Sequence, residues 1–278
     1  MTAPSTEAVL GWGLARLRDL PWRQTRDPWA VLVSEVMLQQ TQVARVVPKW
    51  LAFMLEFPDP AACAAAPLGD VLRLWQGLGY PRRARNLHEA AAVVASAGAF
   101  PTELDGLLAL PGVGAYTARA LLAFAFESDA AVVDTNIARV LARVHGATMT
   151  ARQVQSAADA WLPVGDSWAW NQCLMELGAT VCRPVNPGCG ECPLADRCAW
   201  RGSGIDPAPG TAGVSRAQAR FEGSERQARG RLMAALTAGS VRAGDAERVM
   251  SHRAADRLAA SLCSEGLVVL DGEWLRLP

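Results

Sequence analysis

The sequence predicts a mainly α-helical protein with a metal-binding loop and a small α+β unit at its C-terminal end. Three observations support this fold class. Apolar residues recur at spacings of three and four through most of the chain, four cysteines lie within residues 182–198, and Asp271-Gly272 separates two short apolar runs. Few stretches before the cysteines alternate with the period of two that is typical of a strand.

The helical spacing is clear in six stretches, and proline and glycine interrupt the chain between them. These stretches are residues 31–47, 68–78, 87–94, 117–126, 137–144 and 170–177.

The composition limits the classes of protein that this chain could be. At 278 residues and 51% hydrophobic, it can form two domains with a sizeable core. The longest apolar run, 120–126, is too short to cross a bilayer, and the N-terminus lacks a signal-peptide pattern. We therefore expect a protein of the reducing cytoplasm that does not bind membranes.

The charge distribution gives a mixed indication about nucleic acids. The formal net charge is zero, which by itself argues against nucleic-acid binding. Arginines nevertheless cluster at 82, 83 and 85, and again at 216, 220, 226, 229 and 231. Either cluster could be no more than a solvated face.

Lys49 is the only lysine of the chain. Arginine stays protonated at working pH, so a Schiff-base mechanism would have only Lys49 or the N-terminal amine as its nucleophile. Lys49 follows Pro48 in an amphipathic stretch, where a surface position is expected, and it is a poor candidate.

The four cysteines of residues 182–198 follow the spacing C-x6-C-x2-C-x5-C; they are Cys182, Cys189, Cys192 and Cys198. Four thiolates can hold zinc or an iron–sulfur cluster, and the uneven spacing favours a 4Fe-4S cluster over a zinc ribbon. Two disulfides are the alternative, which the absence of a secretory signal disfavours. Cys63, Cys173 and Cys263 lie in apolar helical text and are expected to be buried.

The segment Leu110-Pro111-Gly112-Val113-Gly114 lies between two predicted helices, 103–109 and 115–124. Its glycines permit a tight turn that exposes backbone N–H groups at the start of the second helix. Such donors, with the helix dipole, can bind a DNA phosphate. An ordinary corner between two helices is the alternative.

Residues 201–215 are rich in Gly, Pro, Ala and Ser and are interpreted as a linker. Beyond them, helices are expected around 227–236, 244–250 and 253–265, and a hairpin around Asp271-Gly272. This order is typical of a winged-helix domain, whose arginines we expect to add phosphate contacts.

Several sequence blocks together resemble the helix-hairpin-helix base-excision DNA glycosylases, and within them the MutY-type adenine glycosylases. The resemblance covers residues 17–198; besides the hairpin and the cysteines, its blocks are Leu20-Pro21-Trp22-Arg23, Ser34 through Thr41, Gly77-Leu78-Gly79-Tyr80, Ala84 through Leu87, Val133-Asp134-Thr135-Asn136 and Asn171 through Gly178. It implies a six-helix barrel domain (27–129) and an iron–sulfur cluster domain (1–26 and 130–204). Composition and element order, rather than the resemblance, place the linker at 205–220 and the winged-helix-like domain at 221–278.

The resemblance also implies a monofunctional glycosylase that hydrolyses the bond to an extruded adenine mispaired with 8-oxoguanine or guanine. Glu35, expected to be buried with a raised pKa, would protonate the base, while Asp134 would face the cationic sugar beside Asn136. Asp134 could also be a plain helix N-cap. Tyr116 stands where strand-cleaving relatives carry a nucleophilic lysine.

Further positions carry roles by the same resemblance. The adenine pocket would be lined by Arg18, Leu20, Trp22, Val43 and Glu176, with Glu176 reaching the polar edge of the base. Mismatched duplex DNA would be contacted by Gln40, Thr41, Leu78, Tyr80, Arg82, Arg83, Arg85, Gly112, Val113 and Gly114.

The sequence departs from the family at two places. Pro81 follows Tyr80 where a second aromatic residue is common, and the C-terminal unit is too short for the Nudix-like domain that reads 8-oxoguanine. A thymine- or uracil-mismatch glycosylase, and a non-catalytic iron–sulfur DNA-binding regulator, are the competing interpretations. The protein is expected to act as a monomer.

Overall fold

The computed structural model describes residues 6–215 and 219–278, so Arg216 of the second arginine cluster lies outside the described residues. In chain order the helices are α1 (Thr6–Leu14), α2 (Pro28–Leu38), α3 (Val43–Glu56), α4 (Pro60–Ala65), α5 (Leu68–Trp75), α6 (Arg82–Ala97), α7 (Leu104–Leu108), α8 (Ala115–Phe124), α9 (Thr135–His145), α10 (Ala151–Trp161), α11 (Ser167–Thr180), α12 (Glu225–Ala238), α13 (Ala246–Met250) and α14 (Ala255–Ser264). The strands are β1 (Val241–Arg242), β2 (Val269–Asp271) and β3 (Trp274–Arg276).

The six predicted helical stretches are helical, with one correction. Residues 31–47 do not form one helix, because α2 ends at Leu38 and α3 begins at Val43. Gln40, between them, has a φ of 55°, a left-handed conformation that a helix cannot contain. The apolar spacing continues across the break, so periodicity alone could not reveal it.

The chain divides into two compact units. The first contains the described residues of Met1–Val31, Pro101–Leu108 and Val113–Ala217, and the second those of Leu32–Phe100, Ala109–Gly112 and Gln218–Pro278. No helix among the described residues is both long enough and apolar enough to cross a membrane.

The first unit has its core between α1, α9, α10 and α11. Trp170 is 1% exposed, and Ile137, Leu141 and Leu177 are fully buried. Helices α1 and α11 approach so closely that a Cβ at Gly13 would lie 2.4 Å from the Sγ of Cys173. Glycine is therefore required there, and Cys173 is a buried apolar residue, as predicted.

The interpretation of 201–215 as a linker needs correction, because this segment is bonded to the first unit. The Ala212 N–H donates to the Met149 carbonyl (2.9 Å), and the Ser215 N–H donates to Oγ1 of Thr135 (2.9 Å). Asp206 pairs with Arg143 of α9. The low apolar content of the segment hid these polar attachments.

The second unit combines α3–α6 with the C-terminal helices and sheet. Phe53 of α3 packs edge-on against Trp75 of α5 at 6.3 Å between ring centroids. Lys49 donates to the Leu74 carbonyl at 3.1 Å, which supports its dismissal as a nucleophile.

The C-terminal helices α12–α14 and the hairpin of β2 and β3 form as predicted, and β1 was missed. The sheet has the order β1-β3-β2 with both pairings antiparallel. Helix, strand, two helices and a two-stranded hairpin is the order of a winged helix. Because β1 contains only Val241 and Arg242, it is too short for a period-two pattern to show.

Candidate active site

Asp134 lies at the N-cap of α9 and is half-buried in the first unit. Its Oδ1 accepts the Ile137 backbone N–H at 2.7 Å, and its Oδ2 accepts the Asn136 side-chain amide at 2.7 Å. Burial is the strongest influence on this carboxyl and raises its pKa, against the opposing effect of these hydrogen bonds and of Arg139. The N-cap and the candidate catalytic carboxylate are thus the same group.

Asn136 is in turn held by Arg139, which lies one turn further along α9. The Arg139 guanidinium donates from NH2 to Oδ1 of Asn136 (2.7 Å) and to the Gly178 carbonyl (2.7 Å), and from Nε to the Cys182 carbonyl (2.7 Å). A Cβ at Gly178 would lie 2.5 Å from Cβ of Asn136, so α9 and α11 pack too closely for a side chain there. A continuous hydrogen-bonded chain therefore joins the Asp134 carboxylate to the first cysteine of the loop.

The extended segment that leads into Asp134 is fixed by α11. Asn171 accepts the Val132 N–H at 2.9 Å and donates to the Ala130 carbonyl at 2.9 Å. Ser167 donates to the same Ala130 carbonyl at 3.1 Å. Asn171 and Arg139 were not among the predicted site residues. The signal in each case was a polar residue on an otherwise buried helical face.

Glu176, predicted to read the base edge, is held in a buried ion pair, and its role toward the base stays a prediction. Its side chain is 1% exposed, and its two oxygens accept from Nε of Arg18 (2.7 Å) and NH2 of Arg23 (3.0 Å). Burial lowers the pKa of Arg23, and Glu176 opposes that effect. Both carboxylate oxygens are engaged, so the group that can face a ligand here is the 43% exposed side chain of Arg18. Leu20 and Trp22, which lie between Arg18 and Arg23 in the sequence, are buried, with exposed fractions of 7% and 8%.

Among the described residues, no side chain caps the start of α8, and its role in binding a phosphate stays a prediction. Gly114 is the N-cap of this helix. Tyr116 is half-buried in the first turn, whereas Val113 is buried. Gly112, counted in the second unit, has a φ of 75°, and a Cβ there would lie 2.6 Å from Cβ of Asn86. Only glycine satisfies both conditions.

The four cysteines of the loop line one cavity in the first unit. Val181, Pro187, Ala195 and Trp200 complete its apolar wall. All seven cysteines of the chain are free thiols. Among the described residues, no group of three or more His, Cys, Asp or Glu side chains is arranged to hold a single metal ion.

Arg143 is the buried arginine of this cavity, with a side chain that is 1% exposed. It donates to the Cys182 Sγ at 3.4 Å and pairs with Asp206 at 2.6 Å. The Arg201 backbone N–H donates to the Cys198 Sγ at 3.3 Å. N–H donors therefore lie within hydrogen-bond distance of two of the four sulfurs.

In the second unit, Glu35 lies on α2 and is 5% exposed, as the sequence predicted. Val43, at the start of α3, is half-buried. Glu35 belongs to the second unit and Asp134 to the first, so a shared cavity for the two carboxyl groups stays a prediction.

Arg83 corrects a prediction, because its guanidinium is used inside the protein rather than left for a phosphate. NH1 donates to the carbonyls of Val36 (2.7 Å) and Gln39 (2.7 Å), and NH2 donates to those of Leu78 (3.0 Å) and Gly79 (3.0 Å). Burial lowers the Arg83 pKa to about 10, which still leaves it charged at neutral pH. This residue joins the end of α2 to the loop before α6.

The predicted wedge residues differ in their exposure. Leu78 is 4% exposed and packed, so its side chain does not project as a wedge. Gln40 is exposed and Tyr80 is 39% exposed. Thr41 is half-buried and donates from Oγ1 to the Gln39 carbonyl at 3.2 Å. Tyr80 and Gln40 are therefore the two side chains of this set with accessible surface to offer a duplex.

The remaining arginines of the first cluster meet an acidic residue of the C-terminal helices. Arg82 pairs with Oε2 of Glu265 at 3.3 Å, and NH1 of Arg85 donates to the Glu265 carbonyl. Arg82 remains 61% exposed and can still reach a phosphate, whereas Arg85 is also paired with Glu89 at 3.2 Å.

Known proteins similar to this chain support the same interpretation. A family model described as HhH-GPD superfamily base excision DNA repair protein matches residues 33–164. The adenine DNA glycosylase of Mycolicibacterium smegmatis is 47% identical over 235 residues, which cover 82% of this chain and 78% of the relative. That of Mycobacterium tuberculosis H37Rv is 44% identical over 281 residues, which cover 96% and 91%. A solved thermostable thymine-DNA glycosylase is 29% identical with a TM-score of 0.66, covering 70% of this chain and 94% of the other.

Proposed function

Because the chain belongs to the HhH-GPD superfamily of base excision DNA repair proteins, we propose that it removes adenine mispaired with 8-oxoguanine or guanine. The predicted mainly helical glycosylase fold is confirmed. The chain is an enzyme that acts on N-glycosyl bonds, and DNA is its substrate. What we propose is the identity of the excised base and of the base opposite it.

The observation that carries the proposal is the pair of Asp134 and Asn136 at the N-terminus of α9. Departure of the base leaves positive charge on the sugar, and a fixed carboxylate stabilises that charge. The Ile137 N–H and the Asn136 amide donate to the Asp134 carboxylate and fix its orientation before the reaction. Little reorganisation is therefore needed during the reaction. Asn136 in turn is fixed by Arg139.

Glu35 supplies the proton in this proposal. A buried carboxyl on a helix can hold a proton at neutral pH and pass it to the departing adenine. The two carboxyl groups thus divide the reaction: one protonates the leaving base and the other stabilises the sugar. Water completes the hydrolysis, since Tyr116 replaces a lysine nucleophile and Lys49 is engaged with Leu74.

A 4Fe-4S cluster is the proposed occupant of the four-cysteine cavity. The donor set is four thiols in one cavity, with Arg143 and the Arg201 N–H directed at sulfur. The uneven 6-2-5 spacing of the four cysteines favours a 4Fe-4S cluster over a zinc ribbon. Such a group would hold the cysteine loop folded against α9. Iron and acid-labile sulfide contents of the purified protein test this assignment.

Duplex DNA with a mismatch is the proposed partner, bound by a monomer at the nucleoid. The uncapped start of α8 and the exposed Arg82 would contact phosphates, and Tyr80 and Gln40 would contact the mismatch. That an adenine pocket is lined by Arg18, Leu20, Trp22, Val43 and Glu176 stays a prediction. Within it we now expect Arg18, rather than Glu176, to face the base.

A panel of duplexes tests the proposal. Adenine opposite 8-oxoguanine, adenine opposite guanine, and thymine opposite guanine are each incubated with the protein, the released base is identified, and alkali reveals abasic sites. We expect adenine release from the first two duplexes, and a loss of about a hundredfold or more with Asp134→Asn while binding persists. Release of thymine instead would favour the mismatch activity named for the thymine-DNA glycosylase structure. Tight binding with no base release would favour a non-catalytic regulator.

A further inference from the structure

The C-terminal residues 219–278 do not form a strongly basic surface. They contain nine arginines and eight acidic residues. Five of these arginines are ion-paired with carboxylates of the same segment; the pairs are Arg220–Glu222, Arg229–Glu265, Arg248–Asp245, Arg257–Glu225 and Arg276–Asp271. The expected gain in phosphate contacts therefore has little support from charge, and another role must explain this part of the chain.

The same residues are attached to the loop that carries Tyr80 and to the helix that follows it. NH1 of Arg226 donates to the Tyr80 hydroxyl oxygen at 3.1 Å. Glu265 holds Arg82 and Arg85 at the start of α6. The terminal Pro278 carbonyl accepts the Gly69 N–H at 3.0 Å. These attachments all lie within the second unit.

Tyr80 is held in an unusual conformation from two sides. Its φ of 49° lies in the left-handed region, which a residue with a side chain adopts only when its surroundings hold it there. Arg83 bonds the carbonyls of the two preceding residues and lies 5.6 Å from the Tyr80 ring. Arg226 fixes the hydroxyl and lies 5.2 Å from the Phe221 ring. The exposed part of the Tyr80 ring thus has a defined direction.

We propose that Arg226 is a positioning residue that acts through the Tyr80 hydroxyl and helps to select the base opposite the adenine. In this proposal, residues 219–278 stabilise the loop that carries Tyr80 and contacts the mismatch. This inference rests on the proposed function, in which Tyr80 contacts the mismatch. Its chemistry is a charge-assisted hydrogen bond to a phenol oxygen, which limits rotation of the ring about its Cβ bond.

A phosphate-binding role for Arg226 makes different predictions. A lost phosphate contact weakens binding to every duplex alike and reduces the dependence of affinity on salt. A lost positioning contact changes the ratio between duplexes that differ only in the opposite base. The two roles are therefore separated by a ratio rather than by an affinity.

The test compares Arg226→Ala, Tyr80→Phe and the double variant with the unmodified protein. Single-turnover adenine release and equilibrium binding are measured on duplexes with 8-oxoguanine or guanine opposite adenine. Each single variant should lower the preference for 8-oxoguanine by about three- to tenfold, and the double variant should lower it no further. Arg248→Ala is the matched control, because this exposed arginine pairs only with Asp245 among the described residues. It should leave the preference unchanged.

Two results would overturn the inference. One is an equal loss on both duplexes with a smaller salt dependence, and the other is additive effects of the two single variants. If Arg226→Ala fails to fold, Tyr80→Phe, which removes one hydroxyl, still decides by its effect on the preference. If the unmodified protein releases no adenine, the proposed function fails by itself, and the binding preference of the variants still tests Arg226.

Discussion

Glu176→Ala should destabilise the protein, rather than remove a contact to the substrate base. The carboxylate is 1% exposed and lies between two arginines of the segment before α2. Arg23, whose side chain is 7% exposed, would lose its counter-charge and keep only neutral partners, the Gln172 oxygen at 2.8 Å and the Arg18 carbonyl at 2.9 Å. An uncompensated buried cation is the physical cause of the expected loss.

The size of the loss follows from the burial of each partner. Removing one member of a buried ion pair costs about 3–5 kcal/mol. The contact with Arg18, 43% exposed, adds at most about 1 kcal/mol, because water screens it. For a chain of this size the thermal midpoint should fall by about 6–20 °C.

The assay measures thermal unfolding and adenine release on the same preparations. Arg18→Ala is the control, because it removes the exposed partner and leaves the buried pair of Arg23 and Glu176 intact. It should shift the midpoint by only a few degrees, about 4 °C at most. A Glu176→Ala protein with the same thermal midpoint as the unmodified protein but no adenine release would refute this reasoning. It would favour a direct contact between Glu176 and the base.

Three further predictions concern other charged groups. Arg83→Ala should lower the free energy of unfolding in urea by about 3 kcal/mol, because five backbone carbonyls lose a charged donor; a loss below about 1 kcal/mol would contradict a structural role for these bonds. Because burial raises the pKa of Asp134 above its ordinary 3.8, the rate of base release should fall as pH drops through that raised pKa, so the acid limb of the pH–rate profile should lie above 3.8. Asp206→Ala should lower the free energy of unfolding by about 2 kcal/mol, because buried Arg143 loses its carboxylate partner, and it should speed the loss of iron to a chelator. Unchanged iron retention would show that this ion pair does not stabilise the cysteine loop.

Local patterns predicted the helices well, because each depends on residues three or four positions apart. The N-cap role of Asp134 and the turn at Gly112 also follow from a few neighbouring residues. The ion pair of Glu176 with Arg23 could not be predicted, since Arg23 lies 153 positions away in the sequence. The contact of Arg85 with Glu265 could not be predicted for the same reason, because the two residues are 180 positions apart.

The preference for arginine over lysine has a structural explanation that the sequence pattern concealed. Clusters of arginine suggested phosphate contacts, yet Arg23, Arg83, Arg139 and Arg143 are each largely buried and each bond several oxygens at once. A guanidinium offers five donors in a fixed plane and loses little hydration, whereas an ammonium offers three around a point and is costly to bury. Arg139 reaches Asn136, Gly178 and Cys182 from one side chain, which a lysine could not do. Zero net charge is therefore compatible with DNA binding, because these arginines hold the backbone that presents the site, and the phosphate contacts can come from a few exposed groups and helix ends.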